Sequence, residues 1–148
     1  MIKREKLIDL IKLGRGEFGE ILAGTILEQD LPKHGVMSNG KDVNEIQALE
    51  KMPILVKSLS KIKDESFYTE FRRQIDLFRA VDSIHVTKLI GLSYEQEHHL
   101  MVLEHAEVGD LKQFLLGTCE VSLSILLTFC LQITKGLAAM AKTKLTHR

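Results

Sequence analysis

The chain has 148 residues, 45% hydrophobic and 27% charged, and its 20 basic and 20 acidic residues balance. This composition is typical of a single globular domain and does not favour nucleic acid or an anionic membrane as a partner. The two cysteines lack metal-site or disulfide-framework spacing, and the charged first residues lack the apolar region of a signal peptide. We therefore expect a cytoplasmic chain with no metal site.

The first predicted elements flank a glycine-rich turn. Residues 6–13 alternate apolar and polar side chains, which predicts a strand, and a second strand is predicted at about 20–27. Between them, residues 14–19 have the spacing G-x-G-x-x-G, which lets the backbone approach a phosphate. The spacing alone is ambiguous, because dinucleotide-binding folds use it before a helix. Here a strand follows, which favours the glycine loop of a kinase over a dinucleotide site.

A long loop and a third strand come next. Residues 28–52 lack a sustained period and contain Pro32 and Asn39-Gly40, which predicts a surface loop. A solvated insertion is favoured over a binding or regulatory role. Pro53 opens a predicted strand that contains Lys57, and a proline is acceptable as the first residue of a strand.

Residues 65–81 have the strongest helical pattern in the chain. The side chains of Phe67, Phe71, Ile75 and Phe78 form an apolar stripe with helical spacing. Gln74 lies beside this stripe, so it is either a core glutamine with satisfied hydrogen bonds or part of a site.

Two further strands are predicted at 86–92 and 100–103, with a polar turn at 94–99 between them. The turn contains His98-His99. A metal role for this pair is disfavoured, because no third ligand occurs at a suitable spacing.

The last third of the chain is predicted to be helical. Asp110 is a natural N-cap and begins a short helix. Residues 121–141 are apolar almost all round, which is typical of a helix buried on every side. A membrane span has a similar length, but the interspersed Ser, Thr, Gln and Lys residues disfavour it. In the isolated chain we expect this helix to lack half of its burial partners and to leave a large apolar patch.

This order of elements resembles the first half of a protein kinase of the receptor tyrosine kinase branch, and most of all the off-track (colon-carcinoma-kinase) type of receptor pseudokinase. The implied fold is α+β: a kinase N-lobe at 1–103 with a five-stranded antiparallel sheet and one αC-type helix, a hinge at 104–109, and the truncated start of a helical C-lobe at 110–148. The resemblance is carried by the glycine loop, Leu55-Val56-Lys57-Ser58-Leu59, Glu70-Phe71-Arg72-Arg73, Met101-Val102-Leu103-Glu104, Gly109-Asp110-Leu111-Lys112-Gln113-Phe114-Leu115, Lys135-Gly136-Leu137 and Leu145-Thr146-His147-Arg148.

The resemblance also implies a nucleotide site for ATP. The glycine loop would cover the phosphates, Lys57 would pair with them, Leu103 would be the gatekeeper, and the following residues would hold the adenine. The implied nucleotide-binding residues are Gly14, Gly16, Phe18, Gly19, Ile21, Lys57, Leu103, Glu104, Ala106 and Asp110.

One departure from the family pattern lies on the predicted helix. Active kinases place a glutamate three residues after the phenylalanine of this motif, where it pairs with the strand lysine. Here that position is Gln74. A glutamine can hydrogen-bond Lys57 but cannot neutralise it, and Glu70 could replace the glutamate only if the helix rotated. We therefore expect ATP to bind weakly or not at all.

A second departure concerns catalysis. The family's H-R-D sequence begins at His147, so its aspartate, the metal-binding asparagine and the D-F-G aspartate would follow Arg148. No catalytic residue and no metal site is therefore expected in this chain, and we expect it not to catalyse phosphoryl transfer.

The resemblance implies a pseudokinase scaffold with protein partners in Wnt and planar-polarity signalling, in the intracellular part of a single-pass receptor, with no membrane contact in this chain. Docking surfaces would include the helix face around Arg72-Arg73. The alternative is a piece of an active tyrosine kinase, which downstream D-x-x-x-x-N and D-F-G sequences would favour. A third interpretation is nucleotide binding without transfer.

Overall fold

A computed structural model describes residues 1–32, 50–59, 64–95, 98–106, 108–117 and 120–144. The interior of the predicted loop, at 33–49, and the His147-Arg148 motif lie outside the described residues. In chain order the elements are the strands and helices β1 Ile8–Arg15, β2 Glu20–Leu27, β3 Lys51–Leu59, α1 Glu65–Ala80, β4 Leu89–Glu95, β5 His98–Glu104, α2 Leu111–Gly117 and α3 Leu123–Lys142. Short 3₁₀ turns occupy Arg4–Lys6 and Glu28–Asp30.

The five strands form one antiparallel sheet in the order β1-β2-β3-β5-β4. This confirms the predicted five-stranded sheet with one helix inserted between its third and fourth strands. Strand β3 begins at Lys51, so the predicted loop is shorter than 28–52 and Pro53 lies inside a strand. Proline is tolerated there because pairing with β5 starts only at Ile54, and the Pro53 carbonyl accepts a hydrogen bond from the His105 N–H at 3.2 Å.

The hairpin of β4 and β5 corrects two predicted boundaries. Strand β4 starts at Leu89 rather than at residue 86, and the predicted turn at 94–99 is mostly strand. Tyr94 pairs with His99 across the hairpin, and the two rings are 4.7 Å apart at 81°. The pairing of β4 with β5 therefore continues through these polar residues. Cross-strand aromatic pairs stabilise a sheet even where apolar and polar residues do not alternate.

The two faces of the sheet carry separate apolar clusters. Alternate residues of β3 and β5 point to opposite faces, as the period of a strand requires. The outer cluster is covered by the N-terminal segment and contains Ile2, Leu7, Ile26, Ile54, Val56, Leu100 and Val102. The inner cluster lies under α1 and contains Leu59, Phe71, Ile75, Met101 and Leu103.

Helix α1 packs on the inner cluster. Its N-cap is Asp64, whose side chain accepts a hydrogen bond from the Ser66 N–H at 3.0 Å. Phe71 and Ile75 are buried and Tyr68 and Phe78 pack half-buried beside them, whereas Phe67 is 49% exposed. The predicted stripe was therefore wrong at its first residue: the side chain one position later in the first turn reaches the cluster.

Helices α2 and α3 bury little surface. Among their described residues only Gly136 is buried, where a Cβ would stand 2.6 Å from the His85 carbonyl oxygen. Leu123 and Leu127 are 71% and 61% exposed. The expected apolar patch on this helix is present, and α3 is not buried on every side. By length and composition alone α3 could also cross a membrane, a property that it shares with core helices of soluble proteins.

Candidate nucleotide-binding site

The turn between β1 and β2 brings two predicted site residues into contact. The Gly16 N–H donates a hydrogen bond to the Gly19 carbonyl at 2.7 Å, which closes the turn. A Cβ at Gly16 would stand 2.9 Å from Cδ1 of Ile21, so the Ile21 side chain fills the space beneath this glycine. Gly14 lies within β1 and has no neighbour within 4 Å of an added Cβ. A side chain at position 16 would therefore displace the end of the Ile21 side chain, whereas position 14 has open space.

Phe18, at the tip of this turn, points toward α1. Its ring meets the Phe71 ring edge to face, with centroids 5.3 Å apart at 76°. Phe18 thereby joins the inner cluster as a half-buried member. Such an aromatic pair contributes about 0.5–1.5 kcal/mol beyond its buried area. The glycine turn is thus held against α1 in this structure.

Lys57 lies on the same face of the sheet as α1. It falls between Leu55 and Leu59, which both belong to the inner cluster, and it pairs with Ile21 on β2 and with Met101 on β5. It is half-buried, and it forms no hydrogen bond or ion pair with any described residue. An anion entering this face would therefore meet an uncompensated positive charge.

Gln74 turns toward its own helix. Its Nε2 donates to Oε1 of Glu70 at 3.5 Å, which is long for a hydrogen bond. Glu70 also receives two hydrogen bonds of 2.8 Å from Arg73, and this pair raises the pKa of the Arg73 guanidinium. The carboxylate that could have replaced the missing glutamate is therefore engaged on the helix by Arg73.

The end of β5 and the segment predicted as a hinge combine a buried residue with an available donor. Leu103 is 2% exposed and packs into the inner cluster. Glu104 is held twice by Lys88: its N–H donates to the Lys88 carbonyl and its Oε1 accepts from the Lys88 N–H, both at 3.0 Å. The Ala106 N–H has no hydrogen-bond partner among the described residues. This segment thus offers a backbone donor just after the end of β5.

Asp110 caps the N-terminus of helix α2. Its Oδ1 accepts a hydrogen bond from the Gln113 N–H at 2.9 Å, which caps α2, and Gly109 before it adopts a left-handed φ of 82°. No described contact joins Asp110 to the other predicted site residues. Its predicted role at the nucleotide is untested by this geometry.

Two site residues escaped the sequence analysis. Phe71, the partner of Phe18, was predicted only as part of an apolar stripe. Lys88, which holds Glu104, carried no signal, because the contact depends on how β4 and β5 are paired. The structure brings Gly16, Ile21, Phe18 and Lys57 to the side of the sheet next to α1, and the Ala106 donor follows the end of β5.

These groups fit parts of a nucleotide. A glycine turn and a lysine suit phosphates, and an unpaired backbone N–H beside an apolar strand suits a purine edge. Among the described residues, no group of three His, Cys, Asp or Glu side chains could hold a metal ion.

Comparisons with known proteins identify the family of this chain. The family model described as protein tyrosine and serine/threonine kinase matches residues 8–148. The chain is 33% identical to the tyrosine-protein kinase-like otk of Drosophila erecta over 99% of its length, and 32% identical to that of Drosophila melanogaster over the same share. It is 31% identical to that of Drosophila persimilis over its full length. The chain spans about a fifth, 20%, of the length of these relatives.

Proposed function

This chain belongs to the protein tyrosine and serine/threonine kinase family, and from that premise we propose that it is a pseudokinase scaffold, which binds ATP weakly and signals through protein contacts. The observation that carries the proposal is the pair of Lys57 and Gln74. Lys57 has no partner among the described residues, while Gln74 is turned to Glu70. The ion pair that orders an active kinase site therefore has no counterpart in this geometry.

The size of the effect favours a weak site over a competent one. Removing one partner of a buried ion pair costs about 3–5 kcal/mol, and a charge-assisted hydrogen bond in its place would restore about 1.5–3 kcal/mol. In this structure Gln74 does not make that bond with Lys57. The lysine is then positioned only by its strand, which lowers the preference of the site for a correctly placed phosphate.

The position of Phe18 supports the same proposal. Phosphates would lie beneath the glycine turn, and here the turn is fastened to α1 through Phe71. A nucleotide that moved the turn away from α1 would break the Phe18–Phe71 contact, and losing this ring pair would weaken nucleotide binding by about 0.5–1.5 kcal/mol.

The similar proteins suggest what kind of protein this chain is part of. Their printed name, tyrosine-protein kinase-like, marks likeness to a kinase. We propose that the parent protein is a single-pass receptor of the Wnt and planar-polarity type, that this chain lies on the cytoplasmic side, and that its partners are proteins rather than nucleic acid or membrane.

A second candidate function is nucleotide binding as a conformational switch without transfer. Two observations favour it: Lys57 lies on the α1 side of the sheet without a counter-charge among the described residues, and the Ala106 N–H has no hydrogen-bond partner among them. A ligand that binds one position of α1 better than another shifts the population toward it. The two functions differ in one measurable quantity, the affinity for ATP.

Thermal stabilisation by ATP, with and without Mg²⁺, tests the weak site. With a Kd above about 1 mM, 1 mM ATP adds less than about 0.4 kcal/mol of stability. We expect Gln74→Glu to tighten ATP binding about tenfold by giving Lys57 a partner. Lys57→Ala should abolish what binding there is, and Gln132→Glu, the same change on the exposed face of α3, should have no effect.

Phosphate transfer is tested separately on the whole natural protein with Mg²⁺-ATP and a glutamate–tyrosine copolymer. We expect no incorporation above background. Tyrosine phosphorylation that Lys57→Ala abolishes would overturn the pseudokinase proposal and establish the active-kinase alternative. A wild-type Kd for ATP in the low micromolar range without transfer would instead establish the switch.

A further inference from the structure

The chain contains two tyrosines, Tyr68 on α1 and Tyr94 on β4, and the structure exposes them unequally. Tyr68 is half-buried and packs on the inner cluster. Tyr94 is 47% exposed. Neither hydroxyl forms a hydrogen bond with a described residue. An enzyme that acts on a tyrosine hydroxyl would therefore reach Tyr94 more easily than Tyr68.

The backbone around Tyr94 also suits modification. Strand β4 lies at one edge of the sheet and pairs with β5 on its inner side. It ends at Glu95, one residue after Tyr94. On its outer edge, the Ile2 N–H donates a hydrogen bond to the Leu92 carbonyl at 2.8 Å. The end of an edge strand opens locally at a lower free energy than a central strand. Tyr94 can therefore enter the active site of another enzyme with little disturbance of the sheet.

A cleft between α1 and the hairpin of β4 and β5 brings Tyr94 near the helix. The Tyr94 ring meets the His99 ring edge to face, with centroids 4.7 Å apart at 81°. Both residues line the cleft together with Arg72 and Arg79 of α1, and its volume is about 260 Å³. A group added to the Tyr94 hydroxyl would therefore come near the two arginine side chains, which are long and exposed.

The positive charge in this cleft comes from α1 and not from the hairpin. Partial burial lowers the pKa of His99, so its ring is neutral at pH 7. Arg79 lies 3.7 Å from Asp76, which offsets one positive charge with one negative charge. Arg72 forms no hydrogen bond or ion pair with any described residue. Among the described residues that line the cleft, Arg72 therefore has the uncompensated positive charge.

A phosphoryl group suits these surroundings. On a tyrosine it carries a charge of about −1.5 to −2 and three strong acceptor oxygens. An arginine guanidinium binds such a group through paired, charge-assisted hydrogen bonds. In the transfer, a bond forms between Oη of Tyr94 and the γ-phosphorus of ATP, and the bond from that phosphorus to the bridging oxygen breaks, which releases ADP. The hydroxyl proton passes to the base of the enzyme that catalyses the transfer.

We propose that Tyr94 is phosphorylated by a separate tyrosine kinase and that Arg72 of α1 then binds the phosphate. The new pair ties the β4–β5 hairpin to α1, the helix whose Phe71 holds Phe18 of the glycine turn. Phosphorylation therefore stabilises α1 in its position on the sheet. The proposal does not rest on the pseudokinase assignment, because another enzyme catalyses the transfer and this chain is its substrate.

The first test is phosphorylation of the full 148-residue chain, fused to a soluble carrier protein. Peptides 63–73 and 89–99 place Tyr68 and Tyr94 at their centres, and a purified tyrosine kinase that labels both peptides is used with Mg²⁺-ATP. The chain without that enzyme is the blank. After division by the peptide rates, mass spectrometry should find Tyr94 labelled at least about tenfold faster than Tyr68 in the folded chain. Tyr94→Phe should remove the labelling, and Tyr68→Phe should leave it.

The second test locates the phosphate. Phosphorylation of Tyr94 should slow hydrogen exchange of the α1 amides by about threefold to tenfold. Arg72→Gln should remove this slowing, because glutamine has no charge to bind the phosphate. Arg73→Gln is the matched control: Arg73 is the next residue, binds Glu70 at 2.8 Å and does not line the cleft. With this variant the slowing should stay within about twofold of the wild-type value. Circular dichroism checks that each variant is folded.

Equal labelling of the two tyrosines after division by the peptide rates, faster labelling of Tyr68, or no labelling of the chain would overturn the proposed site. Unchanged exchange of α1 after phosphorylation, or equal slowing in Arg72→Gln and Arg73→Gln, would overturn the role of Arg72. None of these measurements depends on ATP binding or phosphate transfer by this chain. A failure here is therefore distinct from a failure of the proposed pseudokinase function.

Discussion

The sheet with α1 and the pair of helices α2 and α3 use apolar residues in opposite ways. In the described residues, every buried large hydrophobic side chain lies in the sheet, in α1 or in the N-terminal segment that covers the sheet. Helix α3 is just as apolar in sequence, yet Leu123, Leu127, Leu131 and Leu137 are exposed. In the sheet and α1, two apolar surfaces cover one another. Helices α2 and α3 have few residues packed against them.

The contrast shows that an apolar pattern specifies a face but not what covers it. Strands β3 and β5 have apolar residues on both faces, and each face meets a partner: α1 on one side and Ile2 with Leu7 on the other. For α3, the described contacts are the Phe114–Phe129 ring pair at 6.2 Å and the approach of Gly136 to His85. We infer that the stability of this chain resides in the sheet and α1.

The largest effect is expected from Phe71→Ala. Phe71 is 1% exposed and contacts both the inner cluster and Phe18. Truncating a buried phenylalanine costs about 3–5 kcal/mol, measured here by urea unfolding. Phe67→Ala, one turn earlier on α1 at a side chain 49% exposed, is the matched control and should cost less than about 1 kcal/mol. Equal losses would mean that the inner cluster does not carry the stability.

A smaller effect is expected where the two regions meet. Gly136→Ala places a Cβ 2.6 Å from the His85 carbonyl oxygen, so α3 must shift away from the turn between α1 and β4. We expect the free energy of opening of α3 to fall by about 1–3 kcal/mol in hydrogen exchange, with β3 and β5 unchanged. Gly117→Ala, which meets nothing within 4 Å, should leave both regions unaffected. Loss of protection throughout the sheet would show that the regions unfold as one.

The smallest effect concerns the helix caps. The hydrogen bond from the Ser66 N–H lowers the pKa of Asp64 below its ordinary 3.8. A lowered carboxyl pKa stabilises the fold above that value, and the stabilisation is lost as the pH falls through the folded-state pKa. Asp64→Asn keeps the cap without the titration, so its melting temperature should fall less than that of wild type between about pH 5 and 3.

The control for this titration is Ser122→Ala. Ser122 caps α3 through a neutral hydroxyl, which accepts from the Ile125 N–H at 3.4 Å. Removing it should not change the pH dependence of melting. Identical pH profiles for wild type and Asp64→Asn would contradict the assigned role of the carboxylate.

The fold was predictable because its signals are local. The glycine turn, the alternation around Lys57 and the stripe on α1 each arise within a few residues, and the sheet that they predicted is confirmed. The predicted element boundaries were wrong where strand pairing determines which residues are in a strand. Tyr94 and His99 belong to strands because they face each other across a hairpin, a relation that no local pattern encodes.

The members of the candidate site stay predictions, and their contacts could not be predicted. Gly16 belongs to the glycine spacing, the resemblance to kinases implies roles for Ile21 and Lys57, and strand pairing brings Ile21 and Lys57 side by side. The inward turn of Phe18 and the choice of Glu70 by Gln74 depend on side-chain rotamers with several near-equal options. The sequence alone does not determine either of these side-chain conformations.

The pairing of β3 on both edges has an evolutionary consequence. Lys57 is in register with Ile21 on one neighbour and with Met101 on the other. Residues can therefore be gained or lost between β2 and β3 without moving the lysine, whereas a one-residue slip within β3 would turn it to the opposite face. Natural variation in chain length should accumulate before Lys51 and be rare between Lys51 and Leu59.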